Sequence, residues 1–232
     1  MRQIVLDTET TGLDPRQGHR IIEIGCVELI DRKLTGNNYH QYIQPDRDSD
    51  DAALEVHGIS TEFLQDKPRF ADIVGDFLDY IRGAELIIHN APFDVGFLDH
   101  ELKTIGEQYG SIDTYCNVID TLVMARKMRP GQKNNLDALC KHYDVNNSHR
   151  ELHGALLDSE ILAEVYLMMT GGQVGLLLDS EREETNEAGE VEQRRLSTDR
   201  ERLTVVKANN EELSAHQDII KNMGDAGLWP AS

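Results

Sequence analysis

Ile4-Val5-Leu6-Asp7-Thr8-Glu9-Thr10-Thr11-Gly12 begins as an apolar run and stops on two carboxylates one residue apart. Three successive apolar positions, Ile4, Val5 and Leu6, read as a buried strand over residues 2–7. Side chains on a strand alternate faces at roughly 3.3 Å per residue, so Asp7 and Glu9 point the same way about 6–7 Å apart. Two like charges at the end of a buried strand repel each other and resist leaving water. A divalent cation held between them relieves both costs, because hard cations take oxygen ligands. The competing reading makes Asp7 a turn residue and Glu9 a surface residue, but a turn does not require both acids on one face.

Other acids recur at the starts of helices. A helix running from about Pro92 to Ile105 buries Phe93, Phe97, Leu98, Leu102 and Ile105, and Asp94 borders that stripe. A last helix at about 155–169 buries Ile161, Leu162, Val165, Met168 and Met169, and Asp158 stands in the same relation to it. Each acid alone is equally well explained as an Asp favoured by the helix dipole. With Asp7 and Glu9, the four form a candidate metal cluster. His153 precedes Asp158 by five positions. At about 100° per residue the two would diverge by about 140° on one helix. Both can face one site only if His153 lies on the loop before the helix, where Gly154 makes a natural boundary. A neutral loop imidazole beside a metal cluster is suited to general-base work on an attacking water.

The rest of the first two-thirds is strongly patterned. Strands are expected at 21–30 and 39–44, the latter stopped by Pro45, and at 86–89, with a further strand ending at Val118-Ile119. After Pro68 a helical period places Phe70, Ile73, Val74, Phe77, Leu78 and Ile81 on one stripe. Short helices follow at 121–128, with Asp120 as N-cap, and at 136–143, with Asn135 as N-cap. Strands first, then alternating helix and strand, imply an α/β fold: a mixed sheet with helices packed on it.

The composition narrows the function. The net charge of −19, from 23 basic and 42 acidic residues, leaves no room for a large basic face that would grip duplex nucleic acid unaided. Action on nucleic acid therefore calls for bound metal or a partner that holds the substrate. The chain has no apolar stretch of membrane-spanning length, and Met1-Arg2-Gln3 leading straight into a strand leaves no place for a signal peptide. Cys26, Cys116 and Cys140 are widely spaced, odd in number and in no ligand pattern, which fits buried thiols in a reducing cytoplasm.

From about Gly171 the character changes. Residues 179–202 are rich in Glu and Arg, with some Ser and Asn and little apolar content, the composition of a flexible linker. Leu203-Thr204-Val205-Val206 and a helical pattern at 211–223 follow, then Gly227-Leu228-Trp229 with the only tryptophan. So small an apolar island cannot support its own core. Either it folds back on its domain, or, as we favour, it docks on a partner.

Asp7-Thr8-Glu9 with Thr10-Thr11-Gly12, His89-Asn90-Ala91-Pro92-Phe93-Asp94, and His153-Gly154-Ala155-Leu156-Leu157-Asp158 together resemble the three signatures of the DEDDh 3′→5′ exonucleases, over about residues 2–170. Within that family the likeness is greatest to the proofreading subunits of the bacterial replicative polymerase, DNA polymerase III. It extends through Leu34-Thr35-Gly36-Asn37-Asn38, His57-Gly58-Ile59, Ala125-Arg126-Lys127-Met128, the Gly171-Gly172-Gln173 junction and the Gly-Leu-Trp tail.

The resemblance implies a ribonuclease-H-like fold and two-metal hydrolysis of the terminal phosphodiester at a DNA 3′ end. Asp7, Glu9 and Asp158 would hold the first Mg²⁺ or Mn²⁺ and meet the substrate, Asp7 would share the second cation, and Asp94 would complete the set. His153 would deprotonate the attacking water. His57 matches a substrate-contacting position, although some relatives carry Glu where Ala52 stands here. It further implies an exonuclease domain at 1–172, a linker at 179–202, and a segment at 203–232 that binds the polymerase's catalytic alpha subunit. Gln173, Leu176 and Leu178 resemble a sliding-clamp-binding peptide at 173–178, a pattern that a simple helix-end contact also explains. A small accessory subunit is a further expected partner. The same core chemistry also fits an RNA-processing exonuclease of the ribonuclease T or oligoribonuclease type, and the fold alone would fit a non-catalytic adaptor. The intact acids argue against the adaptor, and the linker with its Trp-bearing tail argues against a free-standing RNA trimmer.

Overall fold

A computed structural model describes residues 1–148, 150, 152–171 and 208–223. The expected clamp peptide at 173–178, the linker at 179–202, the apolar segment 203–206 and Trp229 lie outside the described residues. The described residues up to 171 form one compact unit, and the helix at the far end belongs to a second.

The first unit is built on a six-stranded mixed sheet. Strand β1 (Arg2–Thr10) pairs antiparallel with β2 (Ile21–Ile30) and parallel with β5 (Glu85–Ile88), which pairs parallel with β6 (Asn117–Asp120). The short strands β3 (Lys33–Leu34) and β4 (Tyr39–Tyr42) extend the β2 edge. The helices are α1 (Asp51–His57), α2 (Thr61–Leu64), α3 (Phe70–Ile81), α4 (Ala91–Ile105), α5 (Thr121–Met128), α6 (Leu136–Tyr143) and α7 (Ala155–Gly171).

The alternation along β1 divides the core. Ile4 and Leu6 face a cluster that contains Phe77 of α3 and Phe97 of α4, whereas Val5 faces Leu162 and Tyr166 of α7. The sheet is thus covered on both sides, as its continuously apolar strands require. The α3 stripe is buried at all six expected positions. Asp120 caps α5 by accepting from the Leu122 and Val123 N–H groups, and Asn135 caps α6 by accepting from Ala138 N–H.

The structure corrects the expected elements in three places. β1 runs through both acids to Thr10, beyond the expected end at residue 7, because β2 continues to pair with it up to a bulge after Glu9. Met168 is 52% exposed although the α7 stripe was expected to bury it. α7 is wedged between the sheet, met by Leu162, Ala163 and Tyr166, and a second cluster with Ala125 and Leu139, met by Ile161, Val165 and Met169. This wide buried arc leaves Met168 outside. Strand β4 ends at Tyr42 rather than residue 44, although Ile43 N–H still donates to Ile22 O.

None of the described helices is long and apolar enough to cross a membrane. In the second unit, α8 (Asn210–Met223) begins with a reciprocal cap: Glu212 N–H donates to Asn209 Oδ1, and Asn209 N–H donates to Glu212 Oε2.

Candidate active site

The C-terminal ends of β1 and β5 open into a cavity of ≈ 660 Å³, lined by Asp7, Glu9, Asp94, His153 and Asp158 among others. Its volume lies within the range of small-molecule and nucleotide sites. Three pieces of chain must converge to make it, and each does so for a local reason.

Asp7 and Glu9 share the β1 face that Val5 presents to α7, as alternation requires. Asp158 reaches them because α7 begins unusually close to the sheet. Gly25 lies opposite Asp7 on β2, and a Cβ there would stand 2.2 Å from the Ala155 carbonyl carbon and the Leu156 nitrogen. Only glycine admits that approach. It is secured by Ser159 Oγ donating to Gly25 O at 2.9 Å and by Ala155 N–H donating to Glu23 Oε2 at 3.1 Å.

Asp94 arrives from the opposite helical layer. Asn90 adopts the left-handed conformation (φ 69°), which Asn tolerates better than most residues. The chain thereby turns from β5 into α4 within two residues, placing Asp94 in the first helical turn. Its Oδ1 accepts from Thr8 N–H at 3.1 Å and from Thr8 Oγ1 at 2.7 Å.

His153 lies off the helix, on the loop that precedes α7, as the angular argument required. Its N–H donates to Val56 O at 3.1 Å, tying the loop to the last turn of α1. The side chain is 45% exposed and its Nδ1 stands 3.3 Å from Asp158 Oδ2.

The carboxylates occupy an electrostatically costly place. Burial pushes the Asp7 carboxyl well above the usual carboxylate range, and repulsion by Asp94 and Glu9 adds to it. Burial, then repulsion by Asp158 and Glu23, raises Glu9 to about 8. Asp94 is raised to about 7 by burial, against the opposing hydrogen bonds from Thr8. Groups forced toward neutrality in this way become good ligands once a cation compensates them. Glu9, His153 and Asp158 each offer a ligand atom within 4.8 Å of the others. The carboxylates of Glu9 and Asp158 at that spacing, with Asp7 and Asp94 on the same walls, offer the oxygen ligands that a hard divalent cation takes. His153 lies within reach of Glu9 and Asp158, and Asp7, the third ligand expected beside them, lines the same cavity.

The remaining residues of interest are distributed unevenly. His57 is buried at the end of α1 and does not line the cavity; its Nδ1 accepts from Ile59 N–H at 2.9 Å, while Nε2 has no partner among the described residues. Burial, and then nearby His153, lowers its basicity. Ala52 sits in α1, also away from the cavity wall. Gln173, Leu176 and Leu178 lie outside the described residues. Sequence reasoning missed three contributors: Thr8, which holds Asp94; Glu23, which receives the N-terminus of α7; and Arg150. Arg150 donates through Nε and Nη2 to the two oxygens of Asp158, the latter bond measuring 2.7 Å, and through Nη1 to Asp137 Oδ1 at 2.8 Å. The available signal was a cation three positions before His153 in a chain of net charge −19.

A sequence profile of the exonuclease family RNase_T matches residues 4–166. The chain is 54% identical to DNA polymerase III subunit epsilon of Salmonella typhimurium over 99% of its own length and 98% of that protein's. It is 52% identical to the subunit of the same name from Escherichia coli, with the same coverage. Among solved structures it resembles exonuclease X bound to 5′-overhanging duplex DNA, with a TM-score of 0.58, 28% identity and coverage of 73% of this chain and 91% of that one. It also shares the fold of the nuclease domain of 3′hExo, a DEDDh family member bound to rAMP, with a TM-score of 0.61, 19% identity and coverage of 72% and 90%. Matched end to end by these relatives, and by the exonuclease profile across the domain that gathers the acids, this chain belongs to the exonuclease family, among the epsilon subunits of DNA polymerase III.

Proposed function

We propose that this subunit removes mismatched nucleotides from the 3′ end of a growing DNA strand by metal-dependent hydrolysis of the terminal phosphodiester. The convergence of four carboxylates and His153 on one nucleotide-sized cavity carries the reading. The names of the relatives, and the DNA in the exonuclease X structure, support DNA over RNA as substrate.

Glu9, Asp158 and Asp7 would hold one divalent cation, Mg²⁺ or Mn²⁺, and Asp7 would share a second, with Asp94 completing the anionic shell. When bound, such a pair supplies Lewis-acid stabilisation to the charge that develops on the phosphate and the leaving oxygen. His153 takes the proton of the attacking water. The water oxygen bonds to phosphorus, the bond to the 3′ oxygen of the penultimate nucleotide breaks, and that oxygen is protonated as the nucleoside 5′-monophosphate departs. Thr8 keeps Asp94 ionisable and aimed at the site through its two hydrogen bonds. By resemblance His57 would contact the terminal nucleotide once substrate is bound, although it lies buried off the cavity wall.

The working assembly is cytoplasmic. The segment 203–232 ties the subunit to the polymerase's catalytic alpha subunit, residues 173–178 meet the sliding clamp, and a small accessory subunit is a further partner. The polymerase supplies the hold on DNA that a −19 chain lacks.

The test is digestion of a 5′-labelled primer with a 3′ mismatch, with Mg²⁺, with Mn²⁺ and with chelator. Stepwise shortening from the 3′ end, release of monophosphates and loss of both in chelator are expected, and His153→Ala should slow turnover strongly while metal binding persists. Faster attack on short RNA would favour the ribonuclease T reading. Metal-independent cleavage would remove the mechanism.

A further inference from the structure

Arg150 is the residue whose position the reaction does not explain. Its side chain is 9% exposed and that of Asp158 4%, so the guanidinium is buried against the carboxylate. The planar fork spends Nε and Nη2 on both oxygens of Asp158. Those oxygens are the ones a cation held by Glu9, Asp158 and Asp7 would need. Arg150 therefore stands as a protein-borne counter-cation to the acidic cluster.

The same guanidinium also reaches the base. Arg150 Nη2 lies 2.9 Å from His153 Nδ1. A guanidinium can only donate, so in this geometry Nδ1 accepts. A neutral imidazole has one lone-pair nitrogen, and here that lone pair is already engaged. Nδ1 is thereby occupied and is not open to an attacking water while the contact lasts.

Resting on the metal-dependent reading above, we propose that Arg150 closes the metal-free site, and that loading a divalent cation on Asp158 and unmasking His153 are a single event: withdrawal of the Arg150 guanidinium. Asp137 makes the withdrawal short. Its Oδ1 holds Nη1 at 2.8 Å on the rim of the same cavity, so releasing Asp158 leaves the guanidinium tethered rather than adrift. The chain gains a nuclease centre that stays paired and without a free base until its ions arrive.

The occupancy is separable from simple charge. Lysine keeps the positive charge but lacks the planar fork that covers both carboxylate oxygens. In the full-length protein, Mn²⁺ titrated calorimetrically should bind Arg150→Lys and Arg150→Met about tenfold more tightly than wild type, with circular dichroism checking the fold. If only Arg150→Met binds more tightly, charge alone is at work and the proposal fails. If neither variant gains, it fails outright. A wild type that binds no Mn²⁺ overturns the metal-dependent reading together with the proposal, whereas a wild type that binds normally beside unaltered variants overturns the proposal alone. The second readout is the His153 ring in ¹⁵N NMR. Nδ1 should carry the signature of a hydrogen-bonded acceptor in chelator, lose it on adding Mg²⁺, and lack it from the start in Arg150→Met. An unchanged Nδ1 signal across the Mg²⁺ titration contradicts the coupling.

Discussion

Raising the pH of the metal-free protein from 5 to 8 should destabilise it, and Glu9 sets much of the size of the effect. In the fold its carboxyl is raised from 4.5 to about 8, mainly by burial and then by Asp158 and Glu23. A carboxyl with a higher folded than unfolded pKa binds its proton more tightly when folded. Its contribution is therefore fully present below the unfolded value and is lost as pH rises through the folded one. The separation corresponds to about 5 kcal/mol at most, at roughly 1.4 kcal/mol per unit. Asp94, raised to about 7, and Asp7 add in the same direction, although their mutual coupling prevents simple summation. For a domain of this size about 2–4 °C of melting temperature accompanies each kcal/mol, so a fall on the order of 10 °C is expected across the window. Differential scanning calorimetry in chelator at stepped pH measures it. Glu9→Gln, which carries no charge at any pH, should flatten the curve and be more stable than wild type at pH 8. Mg²⁺ or Mn²⁺ should remove most of the wild-type slope, because the ions bind the ionised form. A wild-type slope that survives unchanged in Glu9→Gln would refute the assignment of the pH dependence to this cluster.

Three further outcomes follow from individual contacts. Gly25→Ala puts a Cβ 2.2 Å from the α7 backbone, so the helix start must shift, costing about 1–3 kcal/mol. Since Asp158 rides on that turn, nuclease activity should fall on the order of 100-fold, and near-normal turnover would show that α7 does not set the site. Thr8→Val preserves shape but deletes the 2.7 Å hydroxyl donor to Asp94. Removing a hydrogen bond that favours the ionised acid should weaken Mn²⁺ binding about tenfold, and an unaltered binding isotherm would dismiss Thr8 as a positioning residue. Deleting residues 180–232 should spare exonuclease activity and abolish association with the polymerase's catalytic subunit, and retention in a pull-down would disprove the role given to the tail.

The parts of the fold that were legible in the sequence are those where one physical rule acts alone. The α3 stripe, the Asp120 and Asn135 caps and the off-helix place of His153 each follow from period, capping chemistry or angular arithmetic, without knowledge of any partner element. The exact reach of β1 was not legible. Thr8-Glu9-Thr10 reads locally as polar chain at a strand end, and only the continued pairing with β2 keeps it extended. Met168 failed for a related reason: a helix wedged between a sheet and two other helices buries more than a stripe, so period alone cannot say which position is left out.

The candidate site divides along the same line. A buried carboxylate is visible in a sequence because it is a local violation, an acid where apolar neighbours demand otherwise. The residues that make the violation tolerable are ordinary in their own segments. Thr8 is a strand threonine, Gly25 one glycine among 18, and Arg150 a loop cation. Their significance arises from neighbours that are 86, 130 and 8 positions away: Asp94 for Thr8, Ala155 for Gly25, and Asp158 for Arg150. Even the shortest of these separations crosses from a loop into a helix, so no single period connects its ends. A site assembled from the ends of distant elements therefore announces its charges in the sequence and conceals what balances them, and Arg150, the cation forked onto Asp158, was the part most deeply concealed.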